Sequence, residues 1–120
     1  YDEAIAEYQQ AITWNPDFAY PHYGLGRVYR SLDRGDEAIA SFQQASILDP
    51  RYADPHAALG DMYTIGGRYD EAMAEYQLAI ALDPTAANAH YGMGNVHFRL
   101  GRSDQAIAAF KQAIAIAPMG

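Results

Sequence analysis

Apolar residues recur every three or four positions along the chain, as in Ala4, Ile5, Tyr8, Ala11, Ile12 and again in Ala72, Met73, Tyr76, Ala79, Ile80. That period gathers them on one face of a helix, and no alternating run of strand length interrupts it. Ala, the strongest helix former, makes up about a fifth of the residues, while Val, the usual strand builder, occurs only as Val28 and Val96. The pattern predicts an all-α chain of seven helices. Pro16, Pro50, Pro84 and Pro118 close successive segments, because the residue before a proline is pushed out of helical geometry. Asp2, Asp36, Asp70 and Asp104 stand where the apolar pattern restarts, where a carboxylate is expected to cap free amides and oppose the helix dipole. Pro21 and Pro55 fall in a first turn, and Gly35, Gly66-Gly67 and Gly101 are expected in the turns inside each segment pair.

The closing prolines are 34 residues apart, and other positions keep the same step. His22, His56 and His90 do so, as do Gly26, Gly60 and Gly94, Arg34, Arg68 and Arg102, Ala38, Ala72 and Ala106, and Ala45, Ala79 and Ala113. A period of this size carrying two helices is the signature of a solenoid. These residues resemble the tetratricopeptide repeat (TPR) pattern of an aromatic, Leu-Gly, Tyr, Ala, Phe or Tyr, Ala and Pro. His22, Leu25-Gly26, Tyr29, Ala38, Phe42, Ala45 and Pro50 match it first. His56, Leu59-Gly60, Tyr63, Ala72, Tyr76, Ala79 and Pro84 match it again, then His90, Met93-Gly94, His97, Ala106, Phe110, Ala113 and Pro118. The resemblance implies one continuous right-handed α-solenoid: full repeats over 19–52, 53–86 and 87–120, preceded at 1–18 by the second helix of another repeat. Gly26 opposite Ala38, and their equivalents, are expected to let the paired helices approach closely. Stacking, and not any single repeat, then buries the apolar faces.

Composition narrows the function classes. The 120 residues hold 8 basic and 15 acidic side chains, a formal charge of -7, which opposes nucleic-acid binding. No run approaches the length of about 18 apolar residues that suggests membrane insertion. Without cysteine there is neither a disulfide nor a thiolate metal site. The chain begins at Tyr1 with no initiator Met or targeting segment and reads as a piece of something longer. Its compartment is left open, with the cytoplasm favoured.

The resemblance also implies a concave groove lined by the first helix of each repeat and occupied by a peptide or protein segment. Carried over by position, the groove residues are Tyr20, Tyr23, Arg27 and Arg30, then Asp54, Ala57, Asp61, Thr64 and Ile65, then Asn88, Tyr91, Asn95, Phe98 and Arg99. Aromatic and Arg side chains on an accessible surface are common binding anchors. The charges of Arg27, Arg30 and Arg99 against Asp54 and Asp61 leave this face mildly positive, while most of the acidity falls on the second helices. The carboxylate clamp of chaperone adaptors is absent, since Tyr23, Arg27, Ala58, Asn88 and Gly92 occupy its positions. So is the asparagine ladder of sugar transferases, where this chain has Gly24, Ala58 and Gly92.

No catalytic constellation emerges. His22, His56 and His90 sit on helices about 8–10 Å apart, too far to converge on one metal ion. Gly24-Leu-Gly26 and Gly92-Met-Gly94 lie mid-helix without a preceding strand, which excludes a dinucleotide fingerprint. Neither an enzyme activity nor a cofactor is expected. At the two ends, Ile5 and Trp14, and Ile114 and Ile116, are apolar residues without a predicted covering helix. The expected function is a protein-interaction scaffold. The alternatives are end-to-end self-assembly through those four residues, or the regulatory arm of an enzyme lying outside these residues.

Overall fold

The computed structural model describes residues 1–117 and contains seven helices and, among those residues, no strand. They are α1 (Asp2–Trp14), α2 (Ala19–Ser31), α3 (Gly35–Leu48), α4 (Ala53–Ile65), α5 (Tyr69–Leu82), α6 (Ala87–Arg99) and α7 (Ser103–Ile116). The chain divides into two compact bodies, Tyr1–Pro55 and His56 onward. In the first, α2 packs on both α1 and α3; in the second, α6 packs on both α5 and α7. Pro118 and Gly120 lie outside the described residues.

The predicted stops act as expected. After α1, α3 and α5 the residues Asn15, Asp49 and Asp83 turn to φ near -144, -137 and -142°, and a proline follows each one. Asp83 then accepts the backbone N–H and the hydroxyl of Thr85 at 3.0 and 2.6 Å, which holds its carboxyl below the usual range.

Gly66-Gly67 and Gly101 fall in the turns inside their helix pairs as expected, and the first turn differs. Gly35 is the first residue of α3 and no part of the turn. The left-handed position belongs to Asp33 (φ 60°), Gly67 (φ 76°) and Gly101 (φ 77°), each 34 residues from the next. There the N–H of Asp33 donates to Arg30 O at 3.0 Å and the N–H of Arg34 to Tyr29 O at 2.8 Å. Arg68 to Tyr63 and Arg102 to His97 repeat the five-residue bond at 2.8 Å, the closure that satisfies orphan carbonyls at a helix end.

The first-turn aspartates do not cap. Arg34, Arg68 and Arg102 occupy the N-cap position without a side-chain capping bond, and Asp36, Asp70 and Asp104 lie inside the first turn, where they can only oppose the dipole. Arg34 and Arg68 reach instead to the carboxylates of Glu37 and Glu71, three residues on, through Nε bonds of 2.6 and 2.8 Å. The same guanidinium groups lie over the rings of Tyr29 and Tyr63, at 4.8 and 4.6 Å.

The core is a series of aromatic rings seated on glycines. Phe42, 0% exposed, lies where a Cβ on Gly26 would come within 2.4 Å of its ring. Phe110 lies on Gly94 in the same way, and Tyr8 on Gly24. The missing Cβ therefore admits a ring, beyond the close helix approach expected from Gly26 and Ala38. Tyr76 is held from two sides: a Cβ on Gly60 would meet its ring at 2.6 Å and one on Gly92 at 2.3 Å. Burying a side chain of this size contributes about 1.5–3 kcal/mol. His97, at the position of Tyr29 and Tyr63, is buried with its Nδ1 unpartnered among the described residues.

Candidate functional site

Each expected first-helix stripe has its own character. On α2, Tyr20 and Arg30 are exposed, while Tyr23 is half-buried with its ring 5.7 Å from Phe42 and 5.4 Å from Tyr52. Arg27 covers the ring of Tyr23 at 5.8 Å, so this part of the stripe is a packed stack as much as an open face.

On α4 the expected stripe splits. Asp54 and Ile65 are exposed, but Ala57 and Thr64 are buried, at 3% and 6%. Thr64 donates to Gly60 O at 2.8 Å and lies 3.4 Å from the Tyr76 hydroxyl. Asp61 accepts the hydrogen bond of that hydroxyl at 2.5 Å. The middle of α4 thus supports the core ring of Tyr76. His56 Nδ1 also meets Glu75 Oε1 on α5 at 3.0 Å, a half-buried pair that helical spacing alone did not reveal.

The α6 stripe is the open one. Tyr91 and Phe98 are 62% and 67% exposed, and the opposite face buries Ala89, Gly92 and Val96. The Tyr91 ring rests 5.3 Å from that of Phe110, which restrains it without covering it. Asn88 accepts the N–H of Ala89 at 3.0 Å and Asn95 accepts Arg99 Nε at 3.4 Å. Those bonds occupy the amide oxygens, so the Nδ2 groups are the donors that can meet a partner.

A second concave feature was missed in the sequence. A cleft of about 490 Å³ opens where the α1–α2 turn meets the α3–α4 turn, lined by Asp17, Phe18, Tyr20, Leu48, Asp49 and Tyr52 among others. The Phe18 and Tyr20 rings are 6.3 Å apart and inclined at 30°. Burial, helped by Asp54 and the neighbouring tyrosines and opposed by Arg27, pushes the Tyr52 phenol up to about 12. It stays a neutral ring and donor across the physiological range.

The other named residues find no shared site. His22 is half-buried, and burial lowers its pKa. His90 Nε2 lies 3.2 Å from Pro84 O. No group of three His, Asp or Glu among the described residues could hold a metal ion. Trp14 and Ile114 are 81% and 62% exposed, whereas Ile5 and Ile116 are half-buried.

Comparison with known families accounts for the repeat. A family model described as "TPR repeat" matches residues 1–33, 26–64 and 60–101, and one described as "Tetratricopeptide repeat" matches 87–119. The chain belongs to the tetratricopeptide repeat family. Two crystal structures of MamA have the same helical-repeat fold, each 27% identical in sequence, with TM-scores of 0.86 and 0.84. Each match spans 98% of this TPR chain, and 68% and 64% of the respective MamA chains. No curated protein matches the sequence. TPR repeats are protein–protein interaction modules, typically non-catalytic scaffolds. Among the described residues no helix of this TPR chain is long and apolar enough to cross a membrane.

The TPR register shows how the cleft could have been found. One repeat further on, Phe18, Tyr20 and Tyr52 become Tyr52, Asp54 and Ala86. The aromatic lining breaks the repeat, so agreement between repeats does not reveal it.

Proposed function

We propose that this chain is a scaffold that holds a segment of a partner protein on the first-helix faces of its repeats, with α6 as the principal contact. The observation that carries the reading is the exposure of Tyr91 and Phe98, at 62% and 67%. They stand seven residues apart on one helix face, flanked by Asn88, Asn95 and Arg99, while the opposite face is buried. Rigid aromatics beside amide and guanidinium donors match what interface hot spots use. No catalytic or metal chemistry is called for.

The test is position-specific photo-crosslinking in a lysate of the cells that make the protein. A p-benzoylphenylalanine in place of Phe98 is expected to give a discrete adduct with another protein, weakened by Tyr91→Ala. The same probe in place of Ile107 on α7, itself 51% exposed, is expected to give none. Equal adduct patterns from both positions would end this reading. An adduct with a second copy of the chain alone would replace it with self-assembly, which the exposed Trp14 and Ile114 favour.

A further inference from the structure

The cleft at the α1–α2 and α3–α4 turns has no role in building the repeat. Positions equivalent to its aromatic residues hold Asp54, Ala86 and Asn88 elsewhere in the same chain, so stacking does not require rings there. The rings are nevertheless well supported. Tyr52 packs edge-on to Tyr23 at 5.4 Å, and Tyr23 in turn leans on Phe42, which is fully buried. Phe18 and Tyr20 stand at the mouth, 52% and 48% exposed.

The charge in this cleft has one sign. Asp17 and Asp49 line it, and no lining residue is basic. The C-terminal end of α3, which supplies Leu48 and Asp49, adds its negative dipole end. The N-terminus of α2 opposes this, but with about half a charge against two full carboxylates. Two cations lie close by. Arg27 is committed to the ring of Tyr23, and Arg51 stands between Asp49 and Tyr52 in the chain and donates its backbone N–H to Asp49 Oδ1 at 3.2 Å.

Elsewhere this protein seats guanidinium groups on tyrosine rings beside carboxylates. Arg34 lies over Tyr29 and reaches Glu37, and Arg68 lies over Tyr63 and reaches Glu71. The cleft offers the same two ingredients, with room for a side chain supplied from outside. Among the described residues no arginine or lysine is seated on Phe18 or Tyr20.

We infer that this cleft is a recognition site for a cationic side chain, the arginine or lysine of a partner polypeptide. The rings receive the cation and the aliphatic stem, and Asp17 and Asp49 neutralise the charge at the rim. The volume of about 490 Å³ falls within the usual range for ligand sites and exceeds what one such side chain fills. The site uses neither Tyr91 nor Phe98, and it rests on the scaffold reading only in that its ligand belongs to a protein.

The experiment is a nuclear magnetic resonance titration of the 120-residue chain with blocked Gly-Ser-Xaa-Ser-Gly peptides, where Xaa is Arg, Lys or Gln. The Arg and Lys peptides are expected to shift the amides of Phe18, Tyr20, Asp49 and Tyr52 saturably, and the Gln peptide to bind about tenfold more weakly. Asp17→Asn with Asp49→Asn keeps the acceptor for the Arg51 N–H and is expected to weaken the Arg peptide by about tenfold, as Tyr20→Leu does to a smaller degree. Circular dichroism of each variant establishes that the helices are intact. Equal binding of the Gln and Arg peptides, shifts confined to other acidic surfaces, or an undiminished Arg peptide in the double variant each overturn the inference. Loss of the Phe98 crosslink with arginine binding intact refutes the scaffold reading alone.

Discussion

Gly92→Ala is the substitution whose outcome the packing determines most fully. The added Cβ would lie 2.3 Å from Tyr76 Cζ and 2.6 Å from its hydroxyl oxygen, about 1 Å inside the ordinary contact distance of about 3.5 Å. The ring has nowhere to go. It is 1% exposed, its other side already lies against Gly60, and its hydroxyl is tied to Asp61. Overpacking costs about 1–3 kcal/mol, and dislodging a hydrogen bond to a carboxylate about 1.5–3 kcal/mol. Replacing a mid-helix glycine by alanine returns about 0.5–1 kcal/mol. The expected net loss is about 1.5–5.5 kcal/mol, a large share of the 5–15 kcal/mol or so that a domain has. Urea unfolding followed at 222 nm measures it, with Gly66→Ala as the control. A Cβ at Gly66 meets only backbone oxygens, at 3.7 Å. A Gly92→Ala protein within about 0.5 kcal/mol of wild type would refute the reasoning. So would an equal loss in a Tyr76→Leu background, where the ring is gone and the coupling with it.

Asp33→Gly is expected to raise stability by about 0.5–1 kcal/mol, because it relieves a left-handed backbone that costs a non-glycine residue about 1–2 kcal/mol and costs aspartate less than most. Thermal melts test this, with Gly101→Asp expected to move the midpoint down. His22 has its pKa lowered by burial, so the unfolded chain binds its proton more readily than the folded one. Its contribution is complete above the ordinary histidine value of about 6.5 and is lost as pH falls through the lower folded value. His22→Gln should therefore flatten the fall in stability as pH drops below about 6.5, read from unfolding midpoints at each pH.

The period, the helical spacing and the terminating prolines were legible because each acts locally, through backbone geometry or one helix face. The α4 stripe was not. Ala57 and Thr64 share the three- to four-residue spacing of an open face, yet both are buried, Thr64 with its hydroxyl turned to Gly60 O and the core ring of Tyr76. Asp33 was passed over because the left-handed position is conspicuous only when glycine holds it, as at Gly67 and Gly101. Asp2, Asp36, Asp70 and Asp104 lie one or two positions inside their helices, a displacement from the cap too small for pattern reading to resolve. Of the candidate site, the exposed aromatics Tyr91 and Phe98 followed from the repeat register. The cleft did not, since residues that depart from the repeat built it.

Arg34, Arg68 and Arg102 each close one helix and open the next with a single residue. Such a junction has no slack: an inserted residue would break a helix closure and misplace the following helix together. The turns after α1, α3 and α5 leave four residues between helices, so length changes there disturb less. Variation in a chain of this kind is therefore channelled to one set of corners, alternating with corners that cannot change. New binding chemistry can accumulate at the tolerant corners while the stacking of helices is inherited intact.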